Sequence, residues 1–334
     1  SERKLSNVTV PVSIITQKTI QQAGSLRLND ILSEQAGLFI STAFGTEASP
    51  SRIGVQVQGL TPDYTLIMLN GERLIGSFAG VLDLNRVTVG NIKKVEIVKG
   101  PSSSLYGSEA LAGVINIITD NSTADKLNAS IRYGSFNAID ASIGGIFHIN
   151  KLSVNAYSNS YTSDGYNAVP PFWRFTNQLQ LTYPISPKTK IAVSARYNLE
   201  ELKNNYAIYN AGTVTYTKGK EVNKDFNINP VITHIINKNL KTSLRLYANR
   251  FETSQKLNQS TTASSFYDDY LNEGFYSIEN QTDYTLNNKF SFNAGAGYVA
   301  QPVRSSRYDD INSVKKNNHG HFFAQGEYRA SEKF

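Results

Sequence analysis

Few residues of this chain have the type and spacing that catalysis requires. Ser102–Ser104 offer three hydroxyl nucleophiles, but no histidine lies near them in the sequence, and a serine nucleophile needs an adjacent base. No lysine follows Gly100 or Gly107, as it would in a phosphate-binding loop. The chain has no cysteine, which excludes disulfides and thiolate metal sites within it. The sequence therefore predicts a protein that is not an enzyme.

Two of the four histidines are candidates for metal ligands. His319 and His321 are two residues apart in a predicted strand, so both side chains should point to one face. Phe322 and Ala324 alternate with them, and we expect the histidines to face inward. Imidazoles in that position could bind haem iron or another metal. The alternative is an ordinary solvated polar face.

Composition limits the possible partners. The 334 residues include 19 Tyr and 16 Phe but one Trp and one Met, which favours strands. The net charge of +6 is dispersed and forms no dense basic cluster, so we expect no nucleic-acid partner. Mean hydropathy is −0.33. The longest apolar runs, such as Val114–Ile118, fall far short of the roughly 18 residues of a spanning helix.

Residues 1–122 mix helix and strand patterns. Val8–Ile15 predicts a strand, Thr16 can cap a helix that ends at Gly24, and Ser25 can cap a second helix that ends at Gly37. Asn70-Gly71 lies between two apolar segments and predicts a tight hairpin. The other predicted strands of this part are Val55–Val57, Lys94–Val98 and Val114–Ile118.

From residue 123 to residue 334 the apolar period changes to two. Ile191, Val193 and Tyr197 share one face, whereas Arg196 and Glu200 share the other. Placing these two charges in hydrocarbon would cost several kcal/mol of free energy, so their face must point away from the lipid. About ten strands of roughly 9–11 residues are predicted, a length that crosses a bilayer. Long loops are expected at 162–172, 201–220, 256–273 and 300–318, with short turns between the other strand ends. Pro230 predicts a bulge or a shifted strand boundary, and a soluble β-sandwich is the alternative architecture.

Several segments of residues 8–120 resemble the plug domain of TonB-dependent outer-membrane receptors. The positions that carry the resemblance are Gly59, Asn70, Gly71, Gly100, Pro101, Tyr106, Gly107, Gly113 and Asn116. The resemblance implies an α+β plug domain (residues 1–122) followed by an antiparallel transmembrane β-barrel (residues 123–334). The segment Gly59–Glu72 is most similar to the haem and colicin-receptor branch. Many members have, at the position of Gln58, an arginine that helps to hold the plug to the barrel wall, and this chain lacks it.

The size of the plug bears on the number of strands. Ten strands would close a cylinder about 20 Å across, whereas a folded domain of this size is about 35 Å wide. A barrel of 22 strands is about 44 Å across and could enclose it. We therefore expect the complete protein to have 22 barrel strands, of which this chain carries the first ten or so.

The resemblance also implies a function in the bacterial outer membrane. Members import a scarce ligand, such as a ferric siderophore or haem, with energy from the TonB complex, whose binding motif would lie upstream of Ser1. No intrinsic cofactor is expected; haem or a ferric siderophore would be cargo. The alternatives are a receptor for cobalamin or another nutrient, a subunit that works with a surface lipoprotein, and an adhesin barrel that transports nothing. The remaining expected partners are outer-membrane lipid and the small-molecule ligand.

In this family the ligand binds between plug apices and extracellular loops. Predicted contact residues in this chain are the aromatic, hydroxyl and acidic side chains of those segments: Phe44, Thr46, Glu47, Ser77, Phe78, Tyr166, Trp173, Tyr267 and Tyr270. Their rings could stack on a flat ligand. The alternative is that loop aromatics form an interfacial girdle or pack on one another.

Overall fold

The structure is a computed structural model. It describes residues 12–24, 27–43, 52–78, 81–101, 109–120, 124–166, 170–210, 213–259, 265–287, 289–308 and 313–328. A mixed N-terminal domain is followed by a ten-stranded antiparallel sheet, which we call the wall. The predicted boundary between residues 122 and 123 lies outside the described residues. No helix in the described ranges has the length and apolar character to cross a membrane.

Two short helices open the N-terminal domain. Helix α1 (Gln17–Ala23) begins as predicted, because the Thr16 hydroxyl accepts a hydrogen bond from the Thr19 amide, and it ends at Gly24 with φ 66°. Helix α2 (Leu28–Ser33) differs from the prediction at both ends. Its N-cap is Arg27, not Ser25, because the Asp30 carboxylate accepts a hydrogen bond from the Arg27 amide. Its last residue is Ser33 and its C-cap is Glu34, so it ends before Gly37.

The N-terminal domain is built on one mixed five-stranded sheet. Its strands, with those of two small hairpins, are β1 (Val12–Thr16), β2 (Leu38–Ala43), β3 (Arg52–Val57), β4 (Thr65–Leu69), β5 (Glu72–Arg73), β6 (Ser77–Phe78), β7 (Val81–Leu82), β8 (Ile92–Lys99) and β9 (Gly113–Thr119). The order in the main sheet is β1-β8-β9-β4-β5, with β4 and β9 parallel. Strands β2 and β3 pair separately, as do β6 and β7. This arrangement confirms the α+β architecture.

An apolar core joins the second helix to the main sheet. Leu28, Ile31 and Leu32 of α2 are buried, in agreement with the predicted apolar face, and they belong to the same cluster as Ile97 and Ile115. The predicted hairpin at Asn70-Gly71 is also present, with φ values of 54° and 83° that suit a tight two-residue turn. The core therefore fixes the orientation of the β4–β5 hairpin, whose tip lies outside the core.

Ten strands form the wall, each paired antiparallel with the next along the chain. They are β10 (Lys126–Gly134), β11 (Ala138–Ile149), β12 (Leu152–Ser163), β13 (Phe172–Ser186), β14 (Thr189–Asn210), β15 (Thr213–Asn237), β16 (Leu240–Gln259), β17 (Ser265–Thr285), β18 (Phe290–Ser305) and β19 (Lys315–Tyr328). The predicted number of strands is confirmed. Two details of the prediction are wrong.

First, strands β14 to β17 continue through most of two predicted loops, 201–220 and 256–273. Strand β15 has 25 residues and β14 has 22, about twice the length that crosses a bilayer. Second, Pro230 causes no bulge. Its ladder with β16 stops at Ile228 and resumes at Val231 in the same register, because a residue without an amide hydrogen can be passed over while its neighbours keep pairing.

The two faces of the wall differ in polarity as predicted. On β14 the side chains of Arg196, Asn198 and Glu200 are buried against the inner side, whereas Tyr197 lies on the other face and is exposed. On β18 the exposed rings of Phe292 and Tyr298 mark the same outer face. The inner face contacts the N-terminal domain, so that domain lies on the concave side of the wall.

Candidate functional site: the interface between domain and wall

The predicted ligand contacts fall in several parts of the structure. Phe44, Thr46 and Glu47 lie outside the described residues, as do Tyr106 and Gly107 of the family motif. Ser77 and Phe78 form strand β6, and Tyr267 belongs to β17. The role of these residues as contacts therefore stays a prediction.

Three other predicted contacts are aromatic side chains whose surroundings are described. Tyr166 stacks on Phe136 with ring centroids 4.9 Å apart. Trp173 stacks on Phe175 at 6.0 Å and alternates with the buried Arg174, so its ring lies on the outer face. Tyr270 is half-buried and alternates with the buried Asp269. The positions of Trp173 and Tyr270 fit the girdle alternative better than a contact inside the wall.

The two candidate metal ligands share one face, as expected. Their ring centroids are 6.5 Å apart, and Phe322 on the opposite face is 86% exposed. His321 Nε2 lies 3.1 Å from a carboxylate oxygen of Glu279, and His319 is exposed. Within the described ranges, no group of three or more His, Asp or Glu side chains could hold a metal ion.

The family-motif positions that are described support the β4–β5 hairpin. The Asn116 side-chain oxygen accepts a hydrogen bond from the Gly71 amide at 3.0 Å. Gly100 has φ 108°, which favours glycine. A Cβ at Gly113 would collide with the carbonyl oxygen of Val98. Gly59 has φ 82° and follows Gln58, which is exposed. These residues shape the backbone and carry no chemistry of their own.

A buried cluster of three charges joins the N-terminal domain to the wall. Arg86 donates from Nη2 to Oδ2 of Asp225 on β15 at 2.8 Å. The same oxygen accepts a second hydrogen bond from Arg196 on β14. All three side chains are at most 4% exposed. The Arg86 guanidinium also donates to the carbonyl oxygen of Gly76 at 2.9 Å, which fixes its direction.

A second charged contact lies at the β4–β5 hairpin. Glu72 Oε1 is 3.1 Å from Nε of Arg245 on β16, and it accepts a hydrogen bond from Asn229 on β15 at 3.3 Å. Burial raises the pKa of Glu72 to about 7, although Arg245 opposes the shift. Beside it, the Tyr247 hydroxyl donates to the carbonyl oxygen of Arg73 at 2.8 Å.

A third contact ties the start of helix α2 to the first wall strands. Arg27 lies 3.5 Å from Asp140 on β11, and its guanidinium sits 4.4 Å from the ring centroid of Tyr161 on β12. Burial, with the nearby Arg174, lowers the pKa of Arg27 to about 10. Charged contacts thus join the N-terminal domain both to the first wall strands and to strands β15 and β16.

Two glycines allow the wall's aromatic rings to touch the backbone of the domain. A Cβ at Gly76 would collide with the Phe251 ring, which is 1% exposed. A Cβ at Gly90 would collide with Tyr157 in the same way. Phe251 also stacks on the Arg86 guanidinium, 4.3 Å from the ring centroid. The interface is therefore close-packed around its charges.

Sequence patterns identified one side of this interface only. The alternation in β14 correctly placed Arg196 and Glu200 on the inner face. Arg86, Glu72 and Asp225 were missed, because no local pattern shows which residue lies opposite another that is more than 100 positions away. Polar or charged residues at every second position from Glu221 to Asn229 of β15 were the available clue.

Comparisons with known proteins agree with this geometry. Residues 4–114 match the family model described as the TonB-dependent receptor plug domain. The chain therefore carries a TonB-dependent receptor plug domain. Its N-terminal domain is the plug, its wall is part of the transmembrane barrel, and the protein resides in the bacterial outer membrane.

Relatives of known name are transporters and receptors. The vitamin B12 transporter BtuB of Vibrio vulnificus is 35% identical over 125 residues, which are 37% of this chain and 20% of the relative. BtuB of Vibrio cholerae is 32% identical over 171 residues, 51% of this chain and 28% of the relative. This receptor chain thus spans between a fifth and about three tenths of these curated relatives.

Solved structures share the fold at low identity. The siderophore receptor PiuA from Acinetobacter baumannii has a TM-score of 0.69 at 14% identity, over 95% of this chain and 53% of PiuA. P. aeruginosa FpvA bound to a heterologous pyoverdine has a TM-score of 0.75 at 12% identity, over 98% of this chain and 50% of FpvA. Both confirm the plug followed by antiparallel barrel strands. The similarity of this chain to the haem and colicin-receptor branch stays a prediction.

Replacement of Gly76 should loosen the plug. Gly76→Ala places a methyl group against the buried Phe251 ring, and we expect the plug contact to weaken by about 1–3 kcal/mol, the usual cost of overpacking. Gly59→Ala is the matched control, because Gly59 has a similar φ but no atom within 4 Å of its Cβ position. Amide hydrogen exchange of the plug in the full-length receptor measures the difference. Equal effects of the two variants would contradict this account.

Plug seating should weaken as pH rises from about 4.5 to about 7. The pKa of Glu72 rises from its ordinary 4.5 to about 7 when the plug is seated, so its contribution is fully present below pH 4.5 and is lost above about 7. The full effect is at most about 3 kcal/mol. Glu72→Gln should remove this pH dependence from the hydrogen exchange of strands β4 and β5.

The control for this pH experiment is Glu96→Gln. Glu96 is a half-buried plug carboxylate paired with Lys94 of the plug itself. The E96Q variant should keep the wild-type pH dependence. If E72Q also keeps it, Glu72 is not the group that titrates.

Proposed function

We propose that the complete protein imports a scarce nutrient across the bacterial outer membrane with energy from the TonB complex. The observation that supports this most directly is the seating of the plug on the wall through buried charges at Arg27, Glu72 and Arg86. Breaking such contacts without replacement is costly. A plug held in this way needs an external source of work to move, and TonB supplies it in this family.

For the cargo, we propose a metal chelate, either a ferric siderophore or haem. Solved structures with the same fold are named as receptors for siderophores or ferric enterobactin. Their sequence identity to this chain is low and shows the shared fold alone. Cobalamin is the second candidate, supported by the identity of 32–35% to vitamin B12 transporters. Plug motifs track the fold more closely than the ligand, so cargo needs a direct assay.

The proposed contacts are those at plug apices and extracellular loops. They are Phe44, Thr46, Glu47, Ser77, Phe78, Tyr166 and Tyr267, whereas Trp173 and Tyr270 fit the girdle. Tyr166 is supported by its exposure. A surface lipoprotein remains a proposed partner that would deliver cargo to the same end of the barrel.

Uptake should depend on both cargo and TonB. The full-length receptor is expressed in a host without its own siderophore, haem and cobalamin receptors, in strains with and without TonB. We expect labelled cargo of one class to accumulate only when TonB is present. Binding without accumulation of any class would favour an adhesin, and accumulation without TonB would contradict the proposal. Cobalamin uptake alone would select the second candidate.

If the cargo is haem, the inner-face histidines should contribute to binding. The double variant His319→Ala, His321→Ala should weaken haem binding by about 10-fold or more, since loss of even an outer partner of a metal costs about 10–100-fold. The control is His148→Ala, His234→Ala, because these imidazoles contact Asp125 and Thr189. Titration of the purified receptor measures both. Unchanged affinity of the first variant would remove the histidines as ligands.

A further inference from the structure

Two plug charges, Arg86 and Glu72, each contact a wall residue of opposite charge. That wall residue has a second wall charge either bonded to it or opposite it in the strand register. Asp225 binds Arg86 of the plug and Arg196 of the wall through the same oxygen, Oδ2. The wall pair is therefore already formed while the plug is seated. When Arg86 departs, Asp225 keeps a cation.

At Arg245 the signs are reversed, and the second wall charge is placed by strand register. Its Nε is 3.1 Å from Glu72 of the plug. Glu279 on β17 lies directly opposite Arg245 in the strand register, a spacing at which side chains of opposite charge meet. Glu279 in turn is 3.1 Å from His321. Within reach of Glu72 are thus Arg245 and Glu279, with the Asn229 amide and the Tyr247 hydroxyl as neutral neighbours.

We propose that Asp225 and Arg245 are shared anchors, which hold a plug charge while the plug is seated and pass to Arg196 or Glu279 when the plug moves. The inference rests on the proposed transport function. Its physical reason is strongest at Asp225, which is 1% exposed: removing one member of a buried pair leaves an unpaired charge, and this penalty dominates the cost of separation. Arg245 is 35% exposed, so water reduces the penalty there. A second wall partner removes that penalty from the wall. When the plug moves away, each wall anchor is still paired with a wall residue of opposite charge, so no unpaired anchor charge stays on the inner face of the wall.

Glu279 is a positioning residue in this scheme, because it acts on the plug through Arg245. Glu279→Gln preserves the size of the side chain and a hydrogen bond to His321, but it removes the charge that competes for Arg245. We expect Glu72 to hold Arg245 more firmly. Hydrogen exchange of strands β4 and β5 should slow by a factor between about 2 and 100, the range that coupled neighbours show. Energised uptake should also slow.

A double-mutant cycle gives the decisive readout. In the E72Q background, E279Q should leave plug exchange unchanged, because the plug charge that shares Arg245 is gone. A merely structural effect of Glu279 would be the same in both backgrounds. Asp283→Asn is the matched control on the same strand, since Asp283 accepts hydrogen bonds from Gln281 and Asn293 of the wall.

Three outcomes would overturn the shared-anchor proposal. They are faster or unchanged exchange in E279Q, an equal effect of E279Q in the E72Q background, and an effect of D283N as large as that of E279Q. Exchange is measured on the full-length receptor without cargo or TonB, above pH 7, where Glu72 is charged. A failure of the transport function would therefore appear in the uptake assay alone, while the exchange result still tests the anchors.

Discussion

Charges can persist on the inner face of this barrel only if something neutralises them out of water. Asp225 is 1% exposed and Glu200 is fully buried, so each needs a cation within hydrogen-bond distance. Arg174 and Arg196 supply two such cations from the wall itself. The plug adds Arg27 and Arg86. This requirement ties the sequence of the plug to the sequence of the barrel.

The same requirement explains why close packing and charge occur together at the interface. Gly76 lets the Phe251 ring approach the plug backbone, and the ring covers the Arg86 guanidinium. Water is thereby kept from the ion pair with Asp225, which strengthens it. A larger residue at Gly76 would open the packing and expose the charges, so the glycine and the arginine depend on each other.

Local features of the fold could be predicted from sequence, because short-range chemistry decides them. Thr16 and Gly24 bound helix α1, and Asn70-Gly71 turns the hairpin, through contacts within a few residues. The inner and outer faces of β14 followed from alternation alone. The predicted N-cap of α2, Ser25, was wrong because Asp30 supplies a competing capping interaction at Arg27.

The remaining errors have a common cause. Strands β14 to β17 extend beyond the bilayer, where both faces meet water or protein, so their outer halves lack the apolar alternation that marks a membrane strand. Their polar residues therefore predicted loops. The partners of Glu72 and His321 come from strands far away in sequence, and pairing across such distances is set by the curvature of the wall. The ligand contacts were inferred from family position and depend on segments that no local rule fixes.

The long strands have a consequence for how a solute first meets the receptor. At about 3.3 Å per residue, the 25 residues of β15 run about 80 Å along the strand, and a tilt of about 40° leaves a height of about 60 Å. An apolar band of about 25 Å accounts for less than half of it. The rest of the strand extends beyond the lipid and stays hydrogen-bonded to its neighbouring strands. Under the proposed function, a molecule bound there would meet backbone that is already ordered, and its binding would cost little of the conformational entropy that flexible loops lose.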